Sequence, residues 1–107
     1  CIYGEVYFVI VNYKKKSKDF LKFKTYNLSH LNRKQVLIPP NYLNGFLCLS
    51  KICVFNYKLS YKGKYNDVKN QFSMKWNDKR LKINWPRKKN LILFLLVFYH
   101  LFALRPI

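Results

Sequence analysis

The sequence predicts an all-β protein made of short antiparallel strands that fold into a barrel or sandwich. Short apolar runs recur along the chain, and Pro, Asn and Gly turn signals separate them. Residues 20–28 alternate between the two sides of an extended chain. Before residue 90, the sequence shows no helical periodicity of useful length. These observations together favour strands over helices.

The length limits the chain to at most one small domain with a marginal core. The chain has 107 residues, of which 50% are hydrophobic and 19% aromatic. A core can be built from these residues, although short chains bury a smaller share of their surface. The only methionine is Met74. We therefore expect the sequence to be a fragment, with residues 1–90 as a partial domain and residues 91–107 as an apolar tail.

The first two predicted strands lie on either side of a charged turn. Residues 6–11 are continuously apolar, which indicates a buried strand, and residues 14–18 form the turn. In residues 20–28, lysines share one side with Phe20. The apolar face is therefore predicted to be Leu21 and Phe23.

The clearest local signal is a pair of apolar runs around a Pro-Pro-Asn turn. Residues 34–38 and 45–50 are predicted to pair across the Pro39–Asn44 turn. Residues 52–60 are predicted to form the next strand, followed by a polar loop over residues 61–71. Alternation along that strand puts Tyr57 on one face with its apolar neighbours Cys53 and Phe55, and so predicts that Tyr57 points into the barrel.

The apolar tail differs from the rest of the chain. Residues 91–104 are an almost unbroken apolar run, shorter than the ~20 residues of a comfortable membrane span. Residues 87–89 are basic and would suit a cytoplasmic flank. We favour a frameshifted or degenerate end, so a membrane partner is not expected; a membrane anchor is the minority alternative.

The formal net charge of +17 has two interpretations. One is an anionic partner such as nucleic acid. The other is compositional, because Lys, Asn, Ile, Tyr and Phe are all encoded by A/T-rich codons and all are abundant here. The lysines are scattered rather than clustered, which favours the second interpretation and no nucleic-acid partner. A small basic β-protein that binds nucleic acid is kept as an alternative function.

The cysteines and histidines do not predict a metal site or a cofactor. No two of the cysteines, Cys1, Cys48 and Cys53, form a C-x-x-C pair. Neither His30 nor His100 lies at the spacing from them that zinc sites use. Cys48 and Cys53 are predicted to be small buried hydrophobes on strands. No secretory signal peptide opens the chain, and a cytoplasmic protein with reduced thiols is expected.

Residues 34–50 carry a resemblance to a known family. The segment resembles the K-R-Q-apolar-apolar-(I/V)-P-x-G-(F/Y)-x-H-G-F-x-x-L-S segment of the dTDP-4-dehydrorhamnose 3,5-epimerase family. The matching positions are Lys34, Gln35, Ile38, Pro39, Tyr42, Gly45, Phe46, Leu49 and Ser50. Asn44 stands where many members have His. Residues 1–12 resemble the family's C-x-x-G-E strand, with Phe8 where an Asp is common, and residues 76–86 resemble its W-N-D and I-x-W-P motifs. The ordered series identifies the chain as a member.

The resemblance implies a partial cupin-like antiparallel β-barrel (jelly roll) and an isomerase activity. Members invert carbons 3 and 5 of a 4-keto-6-deoxy sugar on a nucleoside diphosphate, in dTDP-rhamnose and lipopolysaccharide O-antigen biosynthesis. The reaction needs a general base, a general acid and a donor near the ketone oxygen, with no metal or cofactor. Intact relatives are homodimers. An epimerase or isomerase of another keto-sugar nucleotide is the alternative within the same fold.

The resemblance also assigns roles to particular residues. Tyr57 matches the family's catalytic tyrosine, which would act as the general acid. Asn44 is implied in substrate binding, and either Tyr61 or Tyr65 would stack on the nucleotide base, a choice that the sequence leaves open. The family's His base and Lys lie upstream of the position of Cys1, and the tail replaces its S-x-(K/R)-D segment. The chain alone is therefore expected to be inactive.

Overall fold

The computed structural model describes residues 1–58, 60, 71–86 and 95–98. In this part of the chain, five strands form one antiparallel sheet in the spatial order β2-β1-β3-β5-β4. The strands are β1 Glu5–Asn12, β2 Phe23–Ser29, β3 Tyr42–Cys48, β4 Gln71–Met74 and β5 Leu95–Phe98. The all-β prediction is confirmed, and the sheet is consistent with a partial cupin-like fold.

Strand β1 lies inside the sheet and is buried on both faces. It pairs with β2 on one side and with β3 on the other, which satisfies both of its hydrogen-bonding edges. Val9 and Val11 point to one face, whereas Val6, Phe8 and Ile10 point to the other. Burial on both faces explains why residues 6–11 are continuously apolar instead of alternating with polar residues.

We name the face that carries Val9 and Val11 the tryptophan face, because residues 76–85 cover it. Its buried members are Val9, Val11, Leu43, Met74, Leu81 and Trp85. The Trp85 Nε1–H donates a hydrogen bond to the Trp76 carbonyl oxygen at 3.0 Å, and the Trp85 ring meets Tyr7 edge-on at 5.7 Å. The segment after β4 is therefore fixed across this face of the sheet.

We name the opposite face the phenylalanine face. Its buried members are Val6, Phe8, Ile10 and Leu28, and they are covered by half-buried side chains that include Val36, Ile38, Cys53 and Phe55. The predicted pairing of residues 34–38 with residues 45–50 is wrong. Residues 34–38 form no strand, and the partners of β3 are β1 along its length and β5 at Leu43 and Asn44. That segment crosses the face and contributes Val36 and Ile38 to the core.

The predicted strand over residues 52–60 is also wrong in the described part of that range. Only Val54 makes a β-bridge there, with Tyr3. Strand β2 differs in a smaller way from its prediction. Phe23 packs on the tryptophan face as expected, but Leu28 is buried on the phenylalanine face, so both sides of this strand carry apolar side chains.

The predicted boundary at residue 90 falls among residues that lie outside the described part of the chain, as does most of the polar loop over residues 61–71. Of the tail, residues 95–98 are described, and they form β5 between β3 and β4. The described residues contain no helix long and apolar enough to cross a membrane.

Candidate functional site

The candidate site is the part of the phenylalanine face where β3 meets residues 53–57. Asn44 lies in β3 beside Ile10 of β1 and Leu96 of β5. Alternation along β3 puts Asn44 on the same face as Phe46. The Asn44 side chain is half-buried beside the buried Ile10 and is the polar group that β3 contributes here.

Three phenylalanine rings form a continuous surface beside Asn44, and their exposure to solvent increases from Phe8 to Phe46. Phe8 is buried, and its ring centroid lies 5.5 Å from that of Phe55. Phe55 in turn stacks on Phe46 at 4.8 Å, with an angle of 28° between the ring planes, and Phe46 is 38% exposed. The surface therefore runs from the core to solvent and offers an apolar ring face to a bound molecule.

This ring surface is a feature that the sequence reasoning missed. Phe46 and Phe55 were placed on separate predicted strands, and nothing in their spacing showed that they stack. Phe8 stands where the resembling family often has Asp. This difference is the feature of the sequence from which an apolar surface at this position could be predicted. A buried carboxylate at this position would have to be paired, whereas Phe8 makes this region of the face apolar.

The structure corrects the prediction that Tyr57 points into the barrel. Cys53 and Phe55 do pack against the phenylalanine face, as predicted, but Tyr57 is 68% exposed. Its phenol is accessible to solvent, two residues along the chain from Phe55. Tyr61 and Tyr65, the two candidates for stacking on a nucleotide base, lie outside the described residues.

His30 has structural contacts that occupy its ring. His30 stacks on Tyr3 at 5.6 Å, and its Nδ1 lies 3.2 Å from the Gly4 carbonyl oxygen. The described residues contain no group of three or more His, Cys, Asp or Glu that could hold a metal ion. What the site offers chemically is therefore an aromatic surface, an amide and an exposed phenol.

The geometry defines an all-β protein with its candidate site on an aromatic face of the sheet, and comparison with known proteins identifies the family. The family profile described as dTDP-4-dehydrorhamnose 3,5-epimerase matches residues 1–96. The chain belongs to the dTDP-4-dehydrorhamnose 3,5-epimerase family.

Curated relatives agree with this family assignment. The dTDP-4-dehydrorhamnose 3,5-epimerase of Escherichia coli (strain K12) is 37% identical over 93 residues, which are 87% of this chain and 49% of the relative. That of Salmonella typhimurium is 36% identical over 86 residues, 80% of this chain and 45% of the relative. The enzyme of the same name from Methanothermobacter thermautotrophicus is 33% identical over 87 residues, which are 79% of this chain and 44% of the relative. The chain thus spans about half the length of these relatives. No solved structure gives a significant match.

Proposed function

We propose that this chain is part of a nucleotide-sugar 3,5-epimerase that acts on dTDP-4-dehydro-6-deoxyglucose in the dTDP-rhamnose pathway. The observation that carries the proposal is the family match over residues 1–96, together with relatives of that name at 33–37% identity. We place the activity in the cytoplasm and in O-antigen biosynthesis, with a homodimer as the active form and no nucleic-acid partner, as the family resemblance and the scattered lysines favour.

In the proposed reaction, the 4-ketone makes the C–H bonds at carbons 3 and 5 acidic. A base removes the proton from one face of the sugar, an enolate forms, and an acid returns a proton to the opposite face. We assign the acid to Tyr57. A phenol O–H is a hydrogen-bond donor and can pass its proton to the enolate carbon. The exposure of Tyr57, 68%, supports this role because a substrate could approach the phenol directly.

The ring surface and Asn44 are assigned to substrate binding. A sugar has an apolar face that packs well on aromatic rings, and the stack of Phe46 on Phe55 offers such a surface. Asn44, with one amide donor group and one acceptor oxygen, would orient a hydroxyl or the ketone oxygen. Tyr61 or Tyr65 would stack on the nucleotide base. Because Asn44 replaces the more common His, another keto-sugar nucleotide is the alternative substrate.

The test uses a chimera in which residues 1–96 replace the matching segment of the Escherichia coli relative. We expect the chimera to incorporate solvent deuterium at carbons 3 and 5 of the 4-keto sugar nucleotide, as followed by NMR. Tyr57→Phe keeps the ring and removes the proton donor, and we expect it to slow epimerisation by about 10²–10⁴-fold.

Tyr3→Phe is the matched control, because Tyr3 is also an exposed tyrosine and stacks on His30 away from the ring surface. It should leave the rate of the chimera unchanged. If Tyr57→Phe epimerises as fast as the parent chimera, Tyr57 is not the acid. If only another keto-sugar nucleotide exchanges deuterium, the alternative substrate is correct.

A further inference from the structure

Two of the three cysteines are brought together at the end of strand β3. Cys48 is the last residue of β3 and lies opposite Val6 of β1, so its side chain points to the phenylalanine face. Cys53 packs against the same face. The prediction that both are buried strand residues is only partly correct, since both are half-buried and Cys53 lies outside the strands. Residues 48–54, which we name the cysteine loop, connect them.

The cysteine loop is held against the start of the chain by hydrogen bonds along its length. These bonds run from Leu49 N to Glu5 O at 2.9 Å, Glu5 N to Ser50 Oγ at 3.0 Å, Val54 N to Tyr3 O at 2.9 Å and Ile2 N to Val54 O at 2.8 Å. Ser50 Oγ also donates to the Ile52 carbonyl oxygen at 2.7 Å. Both ends of the loop are therefore fixed to residues 2–5, and so are the positions of the two cysteines.

Gly4 adds a steric constraint to these bonds. It is buried and has a φ of 77°, a conformation that favours glycine. A Cβ atom at this position would overlap the Ile52 carbonyl oxygen and Ser50 Oγ. The backbone of the cysteine loop therefore lies directly on Gly4.

The two cysteines are neighbours within this loop. The pKa of the Cys53 thiol is raised to about 11, chiefly by burial and additionally by the nearby Cys48 thiol. The Cys48 thiol also donates to the Ser50 carbonyl oxygen at 3.1 Å. Cys1, by contrast, directs its thiol to backbone oxygens, those of Tyr3 at 3.0 Å and Gly4 at 3.4 Å.

From the cysteine loop we infer a redox modification site that goes beyond the proposed epimerase function. We propose that Cys48 and Cys53 form a reversible disulfide by exchange with a small-molecule disulfide such as oxidised glutathione. The cross-link would tie β3, which carries Asn44 and Phe46, to the segment that carries Phe55 and Tyr57. Oxidation would thereby restrict the relative movement of the two halves of the candidate site.

The exchange proceeds in two steps that balance. The Cys48 thiolate attacks one sulfur of oxidised glutathione, forms a mixed disulfide and expels a glutathione thiolate, which takes up the proton that Cys48 released. The Cys53 thiolate then attacks the Cys48 sulfur and expels the second glutathione thiolate, which takes up the Cys53 proton. Two cysteine thiols are oxidised by two electrons in total, and one glutathione disulfide is reduced to two glutathione thiols.

The test equilibrates the 107-residue chain with reduced and oxidised glutathione, quenches with acid, alkylates the free thiols and maps the disulfides by mass spectrometry. We expect one internal disulfide, between Cys48 and Cys53, with loss of two hydrogen atoms from the chain. The effective concentration of the two thiols should be at least ~10-fold higher in native buffer than in concentrated guanidinium chloride, because the fold holds them together before reaction. Equal values in the two solvents would overturn the proposal, as would a predominant disulfide through Cys1.

Cysteine variants test which two thiols form the disulfide, and variants at Ser50 and Lys51 test whether the loop positions them. Cys1→Ser should keep the internal disulfide, whereas Cys48→Ser and Cys53→Ser should give only mixed disulfides with glutathione. Ser50→Ala removes the hydroxyl that binds Glu5 and Ile52, and it should lower the native effective concentration severalfold. Lys51→Ala, at an exposed position of the same loop, is the matched control and should leave the native effective concentration of the thiols unchanged. If Ser50→Ala and Lys51→Ala behave alike, the loop does not position the thiols.

Discussion

At the scale of single residues, the strongest ionic interaction in the described part of the chain joins Asp78 to Arg80. The Arg80 guanidinium donates to both carboxylate oxygens, from Nε to Oδ1 at 3.0 Å and from Nη2 to Oδ2 at 2.7 Å. The Arg80 backbone N–H adds a third bond to Oδ1 at 3.0 Å. These charge-assisted bonds hold the pKa of the Asp78 carboxyl at about 2, below its ordinary 3.8.

We expect Arg80→Gln to raise the pKa of Asp78 towards 3.8, as measured by NMR titration of the carboxyl carbon. Because the folded pKa is depressed, the stabilising effect of the pair is present above about pH 4 and is lost as the pH falls towards 2. The difference in stability between the parent and Arg80→Gln should therefore shrink over that interval. Lys79→Gln removes an adjacent charge that does not bond to Asp78 and should leave the titration nearly unchanged. An unshifted Asp78 in Arg80→Gln would contradict the assignment.

At the scale of elements, residues 34–38 act as a cover over the phenylalanine face. Val36 and Ile38 are half-buried against its core, whereas Leu37 between them is 61% exposed. The apolar run that led to a strand prediction therefore alternates in burial, and one side of it packs on a sheet face instead of pairing at a sheet edge. Residues 34–38 make no ladder with β3, whose partners are β1 and, at Leu43 and Asn44, β5.

We expect Ile38→Ala to lower the free energy of unfolding by about 1–2 kcal/mol, because it removes half-buried methyl and methylene groups from the core. Leu37→Ala is the matched control in the same segment. Since most of the Leu37 side chain is already in water, its loss should cost no more than ~0.5 kcal/mol. Urea unfolding followed by tryptophan fluorescence measures both. Equal losses in the two variants would show that residues 34–38 do not pack in this way.

At the scale of the whole molecule, the chain supplies only some of the groups that the proposed reaction needs. The L-R-G-(L/M)-H and G-K-L-V motifs, which carry the base and the lysine of the resembling family, do not occur in these 107 residues. Asn44, the ring surface and Tyr57 are present. A general base is typically worth about 10²–10⁴ in rate, so the proposed acid and the proposed binding surface alone would give little catalysis.

We therefore expect the 107-residue chain to cause no deuterium incorporation at carbons 3 and 5 of the 4-keto sugar nucleotide above the solvent background. Because the chimera described above restores the relative's own base, it is the positive control measured under the same conditions. Exchange by the chain alone that disappears in Tyr57→Phe would contradict this expectation and would mean that another group of the chain acts as the base.

The sequence predicted the all-β class, the buried strand β1 and the family, because each depends on local signals. A continuous apolar run indicates burial on both faces, and the ordered motifs over residues 1–86 depend only on residue order. The role of Tyr57 stays a prediction from the resemblance, although its predicted interior position is wrong. The stack of Phe46 on Phe55 was not foreseen, because it depends on how a segment outside the sheet crosses one of its faces.

The sequence by itself determined that β1 and β2 are extended and which side chains are apolar, since apolar runs and alternation are local signals. It did not predict β4 or β5, which the structure places beside β3. Only the tertiary structure decided the neighbours of each segment. Strand β3 lies between β1 and β5, whereas Val36 and Ile38 of residues 34–38, and Cys53 and Phe55, cover one face of the sheet. The physical reason is that a strand has two edges and a sheet has two faces. Which segment pairs at an edge and which packs on a face depends on where all the other segments lie.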